Sequence, residues 1–226
     1  MEILILSASE REVTLTADYL KENDFRLGRN RIKFLESGIG GVATAYSLTK
    51  YCFNHNPDLI IQAGIAGGFK KIDLGQVFVI KEEIFGDLGV WENNQFRTLH
   101  DLKLVRKNQL LYKNVPLKNP YKKLMALPSS KKVRGITVNE ITTSKRSIRW
   151  YEQNCKAVVE SMEGAAFHYV CLEMNIPFIQ LRSISNSVGE RNKSNWKMGE
   201  AIMMLNQKLI FLLTELSAYD ENDLRI

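Results

Sequence analysis

The sequence lacks the patterns that disulfide-stabilised and metal-binding proteins need. It has three cysteines and three histidines in 226 residues. The cysteines are widely spaced and form no C-x-x-C pair, so we expect reduced thiols in a cytoplasmic protein rather than a disulfide framework. The histidines have no metal-ligand spacing with one another or with the cysteines. We therefore predict that the protein has no metal site.

Long hydrophobic runs are also missing. No apolar run approaches the length of about 18 residues that a membrane-spanning helix needs. Residues 1–9 form only a short apolar segment that carries Glu2, so they predict a first strand rather than a signal peptide.

Clusters of basic residues are missing as well. The net charge of +6 would allow an anionic partner. The basic residues occur as scattered pairs, however, which is typical of solvated surface and not of nucleic-acid binding.

Strand-like and helix-like segments alternate along most of the chain. The predicted strands cover residues 3–7, 31–37, 58–63, 75–83, 132–138, 157–161 and 178–185. The predicted helices cover residues 10–23, 42–54, 144–154, 162–174 and about 193–216. This order predicts an α/β fold with a central mixed, largely parallel twisted β-sheet that is flanked by helices.

One region interrupts this alternation. Residues from about 91 to 130 contain three of the five prolines, many lysines and little periodicity. We interpret them as an irregular excursion with a short helix, and not as a second domain. The sequence therefore predicts a single domain that covers residues 1–226.

Two glycine-rich segments follow predicted strands. Gly38-x-Gly40-x-x-Ala43 matches the dinucleotide-binding fingerprint by formula and precedes a helix. The strand before it is not the first one, no acid ends a strand about 20 residues further on, and there is no Walker-A lysine, so NAD binding is disfavoured. The second segment covers residues 64–68. Each segment predicts either a tight turn or a cradle of backbone N–H groups for ligand oxygens.

Five motifs occur together in an order that is typical of one known family. They are ILILSASEREVTL with Glu12, ESGIGG, IIQAGIAGGF, VESMEGAAFHYVCLEMNIPF with Glu163, and LRSISN with Asn186. This combination resembles the purine nucleoside phosphorylase and nucleosidase superfamily. It is nearest to the hydrolase branch, which contains methylthioadenosine/S-adenosylhomocysteine nucleosidases and futalosine hydrolases.

Three further segments, at residues 83–99, 135–144 and 183–196, are most similar to the futalosine hydrolases. The resemblance implies hydrolysis of the N-glycosidic bond of a 6-oxopurine nucleoside. Futalosine would be split into hypoxanthine and dehypoxanthine futalosine, a step of menaquinone biosynthesis. It also implies a nucleoside phosphorylase-like fold, no metal or organic cofactor, water as the second reactant, and a cytoplasmic homo-oligomer of two or more chains.

The resemblance assigns three catalytic roles. Breaking a purine–ribose bond passes through an oxocarbenium-like sugar, so the site must present a nucleophile and accept charge on the departing base. Glu12 would hold and deprotonate a water molecule, and Arg182 would orient that water and balance the carboxylate. Asn186 stands where relatives that act on 6-aminopurines have an aspartic acid. An amide can donate to N7 or O6 but cannot protonate the base, which favours hypoxanthine over adenine.

The resemblance also implies a set of substrate contacts. Glu163 would accept hydrogen bonds from the ribose hydroxyls and Met162 would pack on the sugar. Thr143 and Ser144 would read the purine edge, beside Ile65 and Ala66 of the second glycine segment. The carboxylate on the 5′ side of futalosine needs a cation. The candidates for this cation are Arg97, Arg191 and Lys193.

Several alternatives remain open at this point. A methylthioadenosine/S-adenosylhomocysteine nucleosidase would have an aspartic acid in place of Asn186. A phosphorylase would have an arginine and a hydroxyl residue within residues 62–65, and both are missing. A non-catalytic nucleoside-binding protein would not need Glu12. In simpler structural roles, Glu12 would be an acid of a first helical turn, Arg182 a buried ion pair and Asn186 a strand end.

Overall fold

The computed structural model describes residues 1–70, 72–93, 95–106, 109 and 116–219. The helices are α1 (Thr14–Lys21), α2 (Gly41–Asn54), α3 (Lys145–Gln153), α4 (Gly164–Glu173) and α5 (Met198–Leu216). The strands are β1 (Glu2–Ser7), β2 (Arg26–Leu27), β3 (Asn30–Glu36), β4 (Leu59–Gly68), β5 (Val77–Phe85), β6 (Gly89–Glu92), β7 (Gln95–Thr98), β8 (Leu117–Lys118), β9 (Lys132–Thr137), β10 (Val159–Ser161) and β11 (Phe178–Ser187). Short 3₁₀ turns cover Glu10–Glu12, Leu124–Ala126 and Lys193–Asn195.

Nine of the described strands form one sheet in the order β10-β9-β5-β11-β4-β1-β3-β2, with β8 paired to β5. The pairs β3–β1, β1–β4, β4–β11, β5–β9 and β9–β10 are parallel. Strand β10 also pairs with β4 in the antiparallel sense, so β4, β11, β5, β9 and β10 close into a ring. The predicted α/β fold with a mixed, largely parallel sheet is confirmed.

Continuous apolar runs place the central strands in the core. Ile3 to Leu6 of β1 and Leu59 to Ile61 of β4 are fully buried. Such runs are typical of strands that are covered on both faces. Helix α5 packs on β11 and β4 beside α1, whereas α2 packs against α4. In the ranges that the structure describes, no helix combines the length and the apolar content needed to cross a membrane.

The second glycine segment differs from its prediction. It is not a loop, because β4 continues through it to Gly68 and pairs there with β11. At Gly64 a Cβ atom would collide with the guanidinium of Arg182, and at Gly67 it would lie 3.0 Å from Val188. The glycines are therefore strand residues that allow neighbouring side chains to approach the backbone closely.

Two helical predictions also differ in detail. The predicted helix over residues 10–23 begins as the 3₁₀ turn Glu10–Glu12 and becomes α-helical only at Thr14. The excursion at about 91–130 contains most of the β6–β7 hairpin, strand β8 and the turn Leu124–Ala126. Part of it, residues 94, 107–108 and 110–115, lies outside the described residues.

A buried polar cluster holds the first turn of α4. The Glu83 carboxylate on β5 accepts hydrogen bonds from Gln180 Nε2 at 3.0 Å and Thr137 Oγ1 at 3.1 Å. Thr137 Oγ1 in turn accepts the N–H of Ala165 at 2.7 Å. Gly164 packs so closely on Glu83 that no Cβ atom would fit. Burial raises the pKa of Glu83 to about 7, against a usual value of 4.5.

His168 on α4 is fully buried in the same region. Its Nδ1 lies 3.1 Å from the carbonyl oxygen of Leu117. Because a carbonyl can only accept, Nδ1 carries the proton in the neutral ring. Burial lowers the pKa of His168 to about 3, against a usual value of 6.5. The imidazole is therefore neutral throughout the physiological pH range.

Glu83 and His168 make opposite contributions to the pH dependence of stability. Glu83 binds a proton in the folded state below about pH 7 but in the unfolded state only below 4.5, so its contribution grows as the pH falls through that interval. His168 binds a proton in the unfolded state below 6.5 but in the folded state only below about 3, so its contribution shrinks as the pH falls.

We expect Glu83→Gln and His168→Gln to change the pH dependence of the melting temperature in opposite directions. As the pH falls from 6.5 to about 5, Glu83→Gln should lose stability relative to the wild type and His168→Gln should gain it. Each slope should reach at most about 1.4 kcal/mol per pH unit. Thermal melts of the wild type and both variants over this pH range measure the two changes in stability, and each variant is the control for the other. Shifts of the same sign in the two variants would contradict the assignment.

Candidate active site

A cavity of about 350 Å³ lies where the carboxyl ends of β4 and β11 meet β10 and the turn after β1. Six of the nine residues with predicted site roles line it: Glu12, Ile65, Ala66, Met162, Glu163 and Asn186. A larger but shallow depression of about 660 Å³ on the edge strands β2 and β3 contains none of the nine. The cavity is therefore the candidate active site.

Glu12 is held by backbone N–H groups at one side of the cavity. Its Oε1 accepts from Ile65 N at 2.9 Å, and its Oε2 accepts from Ala8 N at 3.1 Å and Ser9 N at 3.2 Å. A carboxylate offers about four acceptor positions, so one remains for a water molecule. Burial raises the pKa of Glu12, while Arg182 and the backbone N–H groups oppose this rise. A raised carboxyl pKa suits a general base near neutral pH.

Arg182 on β11 is fully buried behind the cavity. Its Nη2 lies 3.3 Å from Oε2 of Glu163, and its guanidinium reaches Gly64, where Glu12 also lies. Arg182 therefore stands between two carboxylates, with the missing Cβ of Gly64 making room for it. Its Nε and Nη2 make no hydrogen bond of good geometry with the described residues. Arg182 does not line the cavity, so it acts on the site through the carboxylates of Glu163 and Glu12.

Glu163 is fixed by a second contact from the first glycine segment. The N–H of Gly40, a residue with φ of 93°, donates to Glu163 Oε1 at 3.1 Å. Ile65 in the other glycine segment donates its N–H to Glu12. Both segments therefore direct an N–H group at a carboxylate of the chain itself. The prediction that these segments bind ligand oxygens is therefore wrong for the N–H groups of Gly40 and Ile65, because both donate to carboxylates of the protein.

Asn186 lies near the end of β11, after an irregular step in its register with β4. Its Oδ1 is 2.8 Å from the Ser185 hydroxyl, and its Nδ2 donates to the carbonyl of Ser187 at 3.0 Å. Because the Ser185 hydroxyl donates to Oδ1, the orientation of the amide is fixed and its nitrogen remains as the donor. The second hydrogen of Nδ2 has no partner among the described residues and is available to an acceptor in the cavity.

Three predicted residues are absent from the lining: Arg182, which lies behind the cavity, Thr143 and Ser144. Thr143 and Ser144 are exposed, and the Ser144 hydroxyl instead caps α3 by accepting the N–H of Ser147 at 3.4 Å. The predicted contact of Thr143 and Ser144 with the purine stays a prediction, because neither residue lines the cavity. The neighbouring Ile141 does line the cavity.

Sequence reasoning missed Glu160, a carboxylate in the lining. It is 7% exposed on β10, and its Oε1 accepts the N–H of Thr142 at 3.2 Å. Burial raises its pKa, which hydrogen bonds from Thr142 oppose. One signal was available in the sequence, because Glu160 is an acid inside a short strand three positions before Glu163. An ionisable group inside a buried strand is often functional.

The basic residues near the cavity differ from the predicted candidates. Arg11 is the only lysine or arginine among the described residues that line it. Arg97 and Lys193 are exposed elsewhere, and Arg191 lies 5.7 Å from the ring centroid of Trp196. Trp196 itself lines the cavity, whereas Arg191 is absent from the lining. Within the described ranges, no three histidine, cysteine or acidic side chains are grouped as metal ligands.

Two relatives have similar sequences over most of their length. The futalosine hydrolase of Thermus thermophilus is 29% identical over 80% of this chain and 81% of its own. The 5′-methylthioadenosine/S-adenosylhomocysteine nucleosidase of an Exiguobacterium species is also 29% identical, over 95% of this chain and 98% of its own. Identity therefore does not separate the two activities.

Solved structures share the fold. The methylthioadenosine/S-adenosylhomocysteine nucleosidase of Colwellia psychrerythraea, in complex with adenine, superimposes with a TM-score of 0.79 at 22% identity and covers 96% of both chains. The futalosine hydrolase of Helicobacter pylori gives a TM-score of 0.79 at 19% identity, over 96% of this chain and 98% of its own. The profile described as the Phosphorylase superfamily matches residues 2–214. This match covers nearly the whole described chain, and the protein therefore belongs to the phosphorylase superfamily.

Proposed function

We propose that the protein hydrolyses the N-glycosidic bond of a 6-oxopurine nucleoside. Futalosine is the proposed substrate and hypoxanthine the released base, as a step of menaquinone biosynthesis. The observation that carries this proposal is the Glu12 carboxylate, which keeps a free acceptor position beside Arg182 in the same cavity as Glu163 and Asn186. The similarity to curated nucleosidases of both kinds supports the reaction class.

These residues support a direct displacement by water. Glu12 takes a proton from the water while the water oxygen forms a bond to the anomeric carbon. The bond from that carbon to N9 breaks, and its electron pair goes to the purine, which leaves as an anion and takes up a proton from solvent. Asn186 stabilises the developing charge by donating to O6 or N7. Glu163, held by Arg182 and Gly40, accepts hydrogen bonds from the ribose hydroxyls and orients the ring.

Water is favoured over phosphate as the nucleophile for an electrostatic reason. A phosphate next to the Glu12 carboxylate would face a like charge. The positive charge of Arg182 is already shared by Glu12 and Glu163. Residues 62–65 also add no arginine or hydroxyl group that could bind a phosphate.

Futalosine is favoured over methylthioadenosine by Asn186 and by four further residues of the lining. These are Arg11, Trp196 and the apolar residues Met198 and Ile202. This combination suits a 5′ arm that carries an aromatic ring and a carboxylate. Methylthioadenosine has no charge that Arg11 could pair. Arg11 therefore replaces the three cations that the sequence suggested.

We propose that the protein acts as a homodimer through α2. Ile39, Val42, Tyr46 and Phe53 are 66–83% exposed and lie on or just before this helix. An apolar face of this kind is typical of an interaction surface. Ile39 also lines the cavity, so a second copy of the chain seated on this face would border the active site.

A cytoplasmic location belongs to the same proposal. The three cysteines are free, and two of them, Cys52 and Cys171, are buried. Burial raises the pKa of both thiols, which makes them unreactive. Such thiols fit a reducing compartment.

Glu12→Gln should abolish turnover while leaving substrate affinity nearly unchanged. The amide cannot take a proton from water, so kcat should fall by roughly 10²- to 10⁴-fold. Glu10→Gln removes an exposed acid of the same turn and should keep the wild-type rate. Steady-state kinetics on both variants test this role. A Glu12→Gln enzyme with a near wild-type rate would show that another group activates the water.

The substrate should be identified by the base released from futalosine, methylthioadenosine and inosine in phosphate-free buffer. We expect hypoxanthine from futalosine as the preferred reaction and no acceleration by added phosphate. Arg11→Gln should lower kcat/KM for futalosine about tenfold more than for inosine, because a charged hydrogen bond is lost. Arg97→Gln is the matched control. Adenine release from methylthioadenosine at the highest rate would favour the alternative nucleosidase.

Val42→Asp should dissociate the proposed dimer. It places a charge at the centre of the exposed α2 face, where burial against a second copy would leave the charge unpaired. Light scattering coupled to size-exclusion chromatography should give a smaller mass than for the wild type. Phe211→Asp, at an exposed apolar position on α5, is the control. A wild-type protein of monomer mass would refute the dimer directly.

A further inference from the structure

The buried cluster behind the first turn of α4 leaves two polar atoms without hydrogen bonds. The side chain of Gln180 interacts with the Glu83 carboxyl group on one side and with the His168 ring on the other. Its Nε2 lies 3.0 Å from Glu83 Oε1, whereas its own Oε1 has no partner among the described residues. Nε2 of His168 has none either. Both side chains are fully buried, where an unpaired polar atom is costly.

The two atoms stay unpaired because both are acceptors. His168 donates from Nδ1 to the carbonyl of Leu117, so its Nε2 in the neutral ring can only accept. Half a turn of the Gln180 amide exchanges its oxygen and nitrogen without moving any other atom. The nitrogen then donates to His168, and the oxygen stands next to Oε1 of Glu83. Two oxygens form a hydrogen bond only if one carries a proton, and here only the carboxyl group can carry it.

One other arrangement would pair the same atoms. A doubly protonated His168 would donate to Gln180 Oε1 while Glu83 stays ionised. This arrangement buries two charges that the first one avoids, and neither is solvated. The positive charge of Arg182 also opposes a second proton on His168. A proton on Glu83 therefore satisfies the cluster at a lower electrostatic cost.

Charged groups face Glu83 from two directions. Arg182 on β11 lowers the pKa of Glu83, and Glu163 before α4 raises it. The backbones of Gly135 on β9 and Gly164 on α4 press against the carboxyl group, because a Cβ atom at either glycine would collide with it. The charged residues at neighbouring positions of β5, β8 and β9 are exposed or paired with one another, and they are Lys81, Glu82, Lys118 and Arg134.

We propose that Glu83 is a positioning residue that works as a protonated acid and fixes Glu163 through a one-way chain of hydrogen bonds. The inference rests on the proposed function, in which Glu163 binds the ribose. Each group of the chain donates to the next, and the order is Ala165 N–H, Thr137 O–H, Glu83 O–H, Gln180 N–H, His168 Nδ1–H and the carbonyl of Leu117. The chain anchors the turn that follows Glu163 to the carbonyl of β8.

Loss of the proton would disturb the site in two ways. An ionised Glu83 needs a donor from Gln180, so the amide turns back and the link to His168 breaks. It also becomes a third carboxylate near Arg182, whose charge Glu12 and Glu163 already share. Because burial raises the pKa of Glu83 to about 7, kcat/KM should fall as the pH rises through this value. Glu12 must lose its proton to act as a base, so it controls the acidic side of the profile instead.

Glu83→Gln tests the chain, because its amide copies the protonated acid. It can donate to Gln180 and accept from Thr137, so the variant should retain most of the wild-type kcat/KM at about pH 6. At about pH 8.5 it should exceed the wild type roughly tenfold, because it has no proton to lose. Glu83→Leu breaks the chain and should lower kcat/KM by about 10- to 100-fold at both pH values.

Glu82→Gln is the matched control. It removes the neighbouring acid of β5, which pairs with Arg134, and should keep the alkaline decline of the wild type. An alkaline decline that is equal in Glu83→Gln and the wild type would overturn the proposal. This comparison stays decisive even if Glu83→Leu does not fold.

Two spectroscopic measurements do not depend on hydrolysis. In histidine-labelled protein, nitrogen-15 NMR at about pH 6 should show His168 neutral, with its proton on Nδ1. Infrared difference spectra between about pH 6 and 8.5 should show a carboxylic acid band that disappears in the wild type and is missing in Glu83→Gln. An imidazolium at His168 beside an ionised Glu83 would refute the chain.

Inosine binding separates this inference from the proposed function. If the wild type splits no nucleoside, hydrolysis is wrong, and calorimetry then decides the role of Glu83. Affinity for inosine that weakens above about pH 7 in the wild type but not in Glu83→Gln would support the positioning of Glu163. The same pH dependence in both proteins would refute it.

Discussion

The candidate active site depends on one buried guanidinium. Arg182 lies behind the cavity between Glu163, at 3.3 Å, and Glu12, and its charge lets two carboxylates share a small space. Removing one partner of such a buried pair typically costs about 3–5 kcal/mol, because the other charge is left uncompensated. The approach is possible only because Gly64 has no side chain. The glycine in this central strand thus allows the guanidinium to pack directly against the strand backbone.

The second constraint is the placement of α4. Glu163 precedes this helix, and its position follows from the way the first turn is held. Thr137 accepts the N–H of Ala165 in that turn and donates to Glu83, and the N–H of Gly40 donates to the Glu163 carboxylate. The two glycine segments resemble ligand loops in the sequence, yet the N–H groups of Gly40 and Ile65 are used internally. They orient the carboxylates that the ligand would meet.

The part of the cavity that is lined by Glu160 and Asn186 is organised by strand pairing instead of by charge. Gly67 is shared by β10 and β11, which places a carboxylate and an amide in one row. Strand β11 is a direct neighbour of β4 in the strand order, whereas β10 pairs with β4 only because the sheet closes on itself. A flat, open sheet would leave β10 far from β11. Closure of the ring therefore brings residues of β10, at one end of the strand order, beside those of β4 and β11 in its middle.

The sequence by itself determined the order of strands and helices, because apolar periodicity is local, and it singled out Glu12, Glu163 and Asn186 through recognisable motifs. It could not show that β4 runs through the glycine segment, because glycines predict a turn unless a neighbouring side chain is known to need the space. It also missed Glu160 and Arg11, which line the cavity only because of the way distant parts of the chain pack together. Only the tertiary structure brought these residues to one cavity, because strand closure and burial are set by contacts between residues distant in the chain.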